Sequence, residues 1–201
     1  MDKKIWEYNP LNPQQLKDYD VSSYCYRHSR RDWKVSAYDK DYGVNYDGDS
    51  RKPEYLIDGE KKTNWSSGKI NDKPLELPYY IIFDLNKVSD IDGVYLANGY
   101  SNQCLADVHV EYIGSEVADP YDINAPWETL LQVTDPNVVR ANLKNERFFD
   151  CPRTQARYLR LKISNPNTIV FKSDSDLTEE EKANQKKYHS FAEFGTYYKK
   201  P

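Results

Sequence analysis

The sequence predicts an all-β protein, an antiparallel sandwich or barrel, on three observations. Eighteen tyrosines and four tryptophans stand against one methionine, and aromatic and β-branched side chains suit the half-buried pleated surface of a sheet. Several short segments alternate apolar and polar residues, the period of a strand with one buried face. Asn, Asp, Pro and Gly break these segments at fairly regular spacing, the pattern of strands joined by turns.

The elements follow in order. Residues 1–31 read as an approach segment or linker, with Pro10, Pro13 and scattered tyrosines but no sustained period, and residues 32–201 as the domain. Strand signals begin at DWKVSAY (32–38), where Trp33, Val35 and Ala37 alternate with polar positions. A long polar loop, 39–54, comes next. Further strands are expected at 79–85, 91–98, 107–114, 127–133, 146–151, 156–164 and 190–198. In RYLRLKIS, Leu159, Leu161 and Ile163 face one way while Arg160 and Lys162 face the other. The one helix expected is DLTEEEKANQKK (176–187), with Thr178 as N-cap, glutamates in the first turn and lysines in the last. It has little apolar face, so it reads as a surface insertion.

Several function classes fall away. With 28 basic and 32 acidic residues the net charge is −4, whereas a nucleic-acid surface needs clustered positive charge. The one basic run, RHSRR (27–31), reads as a solvated face. No stretch of eighteen apolar residues exists to span a membrane, and no signal-peptide pattern is visible. Cys25, Cys104 and Cys151 are an odd number at unrelated spacings, neither a disulfide framework nor a zinc site; one bridge or three buried thiols both fit. No nucleophile elbow, dinucleotide loop or phosphate-binding loop is present, and the chain is expected to be non-catalytic. GVNYDGDSRKPE (43–54) imitates a helix–loop–helix calcium loop, but Gly43 stands where an acid is needed and Pro53 precedes the last ligand.

The polar loop YLIDGEKKTNW (55–65) is more informative. Calcium takes six to eight oxygens and accepts backbone carbonyls as readily as carboxylates. Asp58 offers a carboxylate, Gly59 a sharp turn and Thr63 a hydroxyl, so the loop is either an Asp-Gly turn or half of a cation cage short of one acid. Trp65 is expected to pack beneath it as core.

LIDGEKKTNW, then LPYYIIFDLNKVSDIDGVYL, WETL, ARYLRLKIS and FAEF occur in an order that resembles the coagulation factor 5/8 type C (discoidin-like) domain, closest to the family 32 carbohydrate-binding modules of bacterial glycan-degrading systems. The resemblance covers roughly residues 32–198. It implies an eight-stranded antiparallel jelly-roll β-sandwich, galactose-binding-domain-like, here with a short helical insertion near the C-terminus. It also implies a structural Ca²⁺ held by the side chains of Asp58, Thr63 and Glu193 and the carbonyls of Tyr55, Glu60 and Ala192. A loop so occupied would not readily carry a glycan at the Asn64-Trp65-Ser66 sequon.

The implied function is a non-catalytic carbohydrate-binding module within a larger extracellular, periplasmic or cell-surface glycan-processing protein. The alternative is a protein-interaction or spacer module. The implied partner is an oligo- or polysaccharide, with no nucleic acid and no membrane insertion, and with further domains in the parent chain. In sugar-binding relatives the ligand loop corresponds to NGYSNQC (98–104). Asn102 matches the family Asn, while Asn98 stands near the place of an Arg, which puts galactose-type recognition in doubt. Tyr42, Tyr46, Tyr100 and Phe171 are candidate stacking rings, each equally able to pack its own loop. Lys69, Asn71 and Asp72 lie in the loop after Trp65.

Overall fold

The structure is a computed structural model that describes residues 5–7, 21–38, 52–67, 69–70, 73–74, 76–99, 107–122, 124–134, 146–166 and 178–199. Among these residues eleven strands occur: β1 (Ile5–Glu7), β2 (Val21–Arg27), β3 (Lys34–Tyr38), β4 (Trp65–Ser66), β5 (Lys69–Ile70), β6 (Lys73–Pro74), β7 (Tyr79–Asn98), β8 (Val108–Ile113), β9 (Glu128–Val133), β10 (Glu146–Ile163) and β11 (Ser190–Lys199). One α-helix, α1 (Glu179–Gln185), precedes β11, and a 3-10 turn covers Pro53–Leu56. Thr178 caps α1 as expected: its side chain accepts the Glu181 N–H while Glu181 reaches back to the Thr178 N–H.

Two strands run longer than their sequence signals. The segments 79–85 and 91–98 are one strand, β7, and 146–151 and 156–164 lie in one strand, β10. The breaks between them are corners. Tyr158 pairs with Asp84 and Ala156 with Ser89, so β7 inserts extra residues at this point. Asn86 sits there at φ 65°, a left-handed conformation that Asn tolerates, and its N–H donates to Asp84 Oδ1 at 2.7 Å. A second irregularity falls between Asp150 and Thr154 of β10.

Bent at these corners, β7 and β10 contribute to both layers of a sandwich. The first half of β7 pairs with β3 and with the end of β10, which continues to β8 and β9. The second half of β7 pairs with β11 and the start of β10, and β11 continues to β2 and β1. The core lies between the layers. Val35, Ile81, Phe83, Leu159, Leu161 and Val110 meet Val94, Leu96, Phe149 and Phe194 in one buried cluster. Phe83 stacks on Phe194 across the layers, with ring centroids 4.1 Å apart.

The outer face of the second layer is also built. Gly93 lies opposite Tyr197 and Gly195 opposite Tyr95. A Cβ on either glycine would run into the ring across the strand pair, so each missing side chain makes room for a tyrosine. Cys25 and Phe148 complete this second buried cluster. β2 lies within residues 1–31, the stretch read as an approach segment; it pairs with β11 through Arg27, Tyr26 and Cys25 and is part of the sheet. Its Tyr-Cys-Tyr run carries the strand propensity that the reading passed over.

Replacing Gly195 with Ala is expected to destabilise the fold by about 1–3 kcal/mol through overpacking against Tyr95. Urea unfolding of the wild type and Gly195→Ala at matched slope checks this, and equal midpoints would refute it.

Candidate functional site

The loop between the 3-10 turn and β4 folds on itself through Asp58. Asp58 Oδ1 accepts the Glu60 N–H at 2.7 Å. Gly59 takes φ +85°, a conformation that costs a residue with a side chain dearly. Thr63 Oγ1 lies 2.7 Å from Asp58 Oδ2 and 2.7 Å from the Glu60 carbonyl oxygen. A hydroxyl has one proton to donate, so it can serve only one of these two oxygens at a time. Three oxygen atoms thus converge with fewer protons than they could use.

The other half comes from β11. Between Phe191 and Glu193 the register with β7 slips by one residue, a β-bulge at Ala192. Glu193 is fully buried. Its Oε2 pairs with Arg30 Nη1, and its Oε1 is buried with no hydrogen-bond partner. Burial pushes the Glu193 carboxyl above the ordinary carboxylate range; Arg30 opposes this, and the negative charges of Asp58 and Glu146 reinforce it. Among the described residues no three His, Cys, Asp or Glu side chains converge to hold a metal. An ion here would therefore draw on Thr63 and on carbonyls as well as the two acids.

The loop is fastened to β11 by its exit strand. Phe191 pairs with Trp65 and Ser190 with Ser66. Trp65 is fully buried, as expected, and stacks on Phe191 at 5.6 Å with the rings 3° from parallel. Ser190 Oγ donates to the Trp65 carbonyl at 2.8 Å and receives Asn64 Nδ2 at 3.2 Å, so the sequon asparagine already has a partner inside the protein. The same serine's carbonyl accepts the Gly99 N–H at 3.1 Å, and a Cβ on Gly99 would meet Ser190 Oγ. The first residues of the 98–104 loop are thus clamped to the strand that carries Glu193.

Below Trp65 the His189 ring contacts Tyr79 Oη through Nδ1. The His189 N–H donates to Ser67 Oγ at 3.0 Å and the Ser67 N–H to the His189 carbonyl at 2.9 Å. Burial lowers the His189 pKa to about 4. The imidazole is therefore neutral in the folded protein well below the pH at which an exposed histidine charges.

The basic run 27–31 is not a solvated face. Arg27 makes a two-pronged ion pair with Glu146 at 2.9 and 2.6 Å and lies 3.9 Å from the centre of the Tyr95 ring. Arg30 turns under the Asp58 loop. Burial is possible because each guanidinium meets a carboxylate, and Arg27 also meets an aromatic face. Of the other candidates, Asn98 ends β7 with its backbone opposite Phe191, and Lys69 lies in the β5–β6 hairpin. Tyr42, Tyr46, Asn71, Asp72, Tyr100, Asn102 and Phe171 lie outside the described residues. Cys25 is buried and Cys151 half-buried.

A model of the F5/8 type C domain matches residues 34–173, well over half of the chain, and the protein belongs to that family. Solved structures share the fold at low identity. The CpGH89CBM32-5 module from Clostridium perfringens, in complex with GalNAc-β-1,3-galactose, is 15% identical, with a TM-score of 0.56 over 84% of this chain and 96% of its own. The family 32 module of C. perfringens NanJ, in complex with galactose, is 13% identical, with a TM-score of 0.57 over 87% and 99%. The C-terminal domain of a chitobiase from Bacteroides fragilis is 21% identical, with a TM-score of 0.57 over 87% and 97%. No curated protein gives a significant match.

The buried His189 makes stability depend on pH with a definite sign. Its folded pKa lies below the unfolded value of about 6.5, so between these two values the unfolded chain binds the extra proton. Stability is full above about pH 6.5 and falls toward pH 4, by up to about 3 kcal/mol from this residue. His189→Gln is expected to make the midpoint-versus-pH profile shallower across that window, leaving the part due to His28, whose pKa burial also lowers to about 4; an unchanged slope would show that His189 does not contribute to it.

Proposed function

We propose that the chain is a non-catalytic carbohydrate-binding module, carried by a larger extracellular or cell-surface glycan-processing protein and braced by a structural calcium. The observation that carries the glycan reading is the overlap with modules solved in complex with GalNAc-β-1,3-galactose and with galactose over 96% and 99% of their lengths. The clamp between Gly99 and Ser190 supports it, because a ligand loop rooted on a rigid strand loses little entropy on binding. Asn98, Tyr100 and Asn102 in that loop, with Tyr42, Tyr46, Lys69 and Phe171, are the proposed sugar contacts.

Calcium would be held by the side chains of Asp58, Thr63 and Glu193 and the carbonyls of Tyr55, Glu60 and Ala192. The donor set is all oxygen, as a hard cation requires. The unpartnered Glu193 Oε1 and the proton-poor oxygens around Thr63 are the atoms it would satisfy. When bound, the ion supplies a charge-neutralising cross-link between the two ends of the domain. The protein's own residues do the rest: the bulge at Ala192 presents carbonyl and carboxylate together, and Gly59 lets the loop close on them.

Two measurements test this. Screening against plant, host and microbial glycans should give binding that Asn102→Ala weakens by tenfold or more; silence on every glycan, or binding to a protein partner instead, would overturn the glycan reading. Calcium at about a hundred times its Kd should add about 2.7 kcal/mol, seen as a rise in Tm of several degrees over EDTA. Asp58→Ala should abolish that rise. A wild-type Tm indifferent to EDTA and calcium alike would overturn the calcium reading.

A further inference from the structure

A residue from outside the Asp58 loop, which the calcium reading does not use, reaches into the site. Arg30 sits in the turn before β3, where the Trp33 N–H donates to its carbonyl at 3.1 Å, and its guanidinium reaches the space between loop and β11. Nη1 contacts Glu193 Oε2, the Phe194 carbonyl at 2.8 Å and the Leu56 carbonyl at 3.2 Å. Nη2 comes within 3.8 Å of where a Gly59 side chain would begin. Each of these partners adjoins or is a residue of the cage: Leu56 follows Tyr55, Gly59 lies between Asp58 and Glu60, and Phe194 follows Glu193.

We propose that Arg30 is a built-in counter-ion of this site, which ties the loop to β11 when no metal is bound and lowers the site's affinity for a divalent cation. The inference rests on the calcium reading for the identity of the ion, but its content is the role of the arginine. A guanidinium is fixed in charge at any working pH. Paired with Glu193, it leaves Asp58 as the one uncompensated carboxylate of the cage. A divalent ion that arrives must share the buried Glu193 carboxylate with a resident positive charge, and on that buried side Coulomb terms are stronger than in water. The arrangement exchanges metal affinity for a loop that holds its shape without metal. Glu193 Oε1, left free by Arg30, is the atom still open to the ion.

The test compares wild type, Arg30→Met, Arg30→Lys and Asp58→Ala by calcium titration calorimetry and by thermal unfolding in EDTA and in CaCl2. Arg30→Met should melt several degrees lower than wild type in EDTA and bind calcium roughly tenfold or more tightly. Its calcium-induced rise in Tm should exceed that of the wild type. Arg30→Lys, which keeps the charge, should stay close to wild type in calcium affinity. If Arg30→Met is unfolded in EDTA, refolding on addition of CaCl2 sustains the proposal and failure to refold overturns it. Calcium binding of equal or lower affinity in Arg30→Met overturns this inference while leaving the calcium reading intact. Binding by Arg30→Met but not by wild type sustains the inference and removes the native ion. No binding by either overturns both.

Discussion

The fold depends on two strands that belong to both layers. β7 and β10 pair with each other along most of their length and bend together at Asn86 and near Pro152. Because the bend is shared, the layers are joined by hydrogen-bonded backbone rather than by side chains alone. The stacked Phe83 and Phe194 then set how closely the two faces approach. The other strands of the nine-stranded sheet attach to this frame: β3, β8 and β9 extend one layer, and β11, with β4, β2 and β1, the other. A sandwich so hinged has little freedom to shear, and a loop planted on it inherits that rigidity.

β11 is where the frame becomes a site. It carries Phe191 under Trp65, Ser190 against Asn64 and Gly99, and Glu193 against Arg30. This strand thus touches the turn before β3, the Asp58 loop and the root of the candidate ligand loop. The electrostatics follow from geometry. Arg27 and Arg30, buried and half-buried, face Glu146 and Glu193, half-buried and buried, around the ring of Tyr95. Buried charge of this kind is costly when unpaired and is better read as fixing one arrangement than as adding stability.

Much of this was legible in the sequence. Alternation in RYLRLKIS placed the end of β10, the strand expected at 107–114 is β8, Thr178 as N-cap placed the start of α1, and Trp65 was read as core. At the polar loop around Asp58 the sequence left an Asp-Gly turn and half of a cation cage both open, and the described loop folds on the Asp58 carboxylate. Three features escaped for physical reasons. The continuity of β7 was hidden by Asn86, since a residue that signals a turn can equally make a corner inside a strand. β2 was hidden by Arg27 and its basic neighbours, since charge predicts exposure unless its partner is known, and Glu146 lies 119 positions away. The role of Arg30 needed the same missing pairing with Glu193, 163 positions distant. Sequence reveals local period well and long-range charge pairing hardly at all.

The bulge at Ala192 has one more effect. Side chains along a strand alternate between faces, so residues three apart should point to opposite sides. Phe191 and Phe194 are three apart, yet both are buried in the core between the layers. The extra residue at 192 is a half-step in the phase of the strand. Ahead of it Phe191 points inward beneath Trp65; beyond it Phe194 points inward again, while Glu193, Gly195 and Tyr197 turn outward toward the arginines and Tyr95. A single inserted residue thereby gives one strand two addresses, an apolar one under the Asp58 loop and a charged one beside it. In this strand the count of residues between Phe191 and Phe194 carries as much information as their identities.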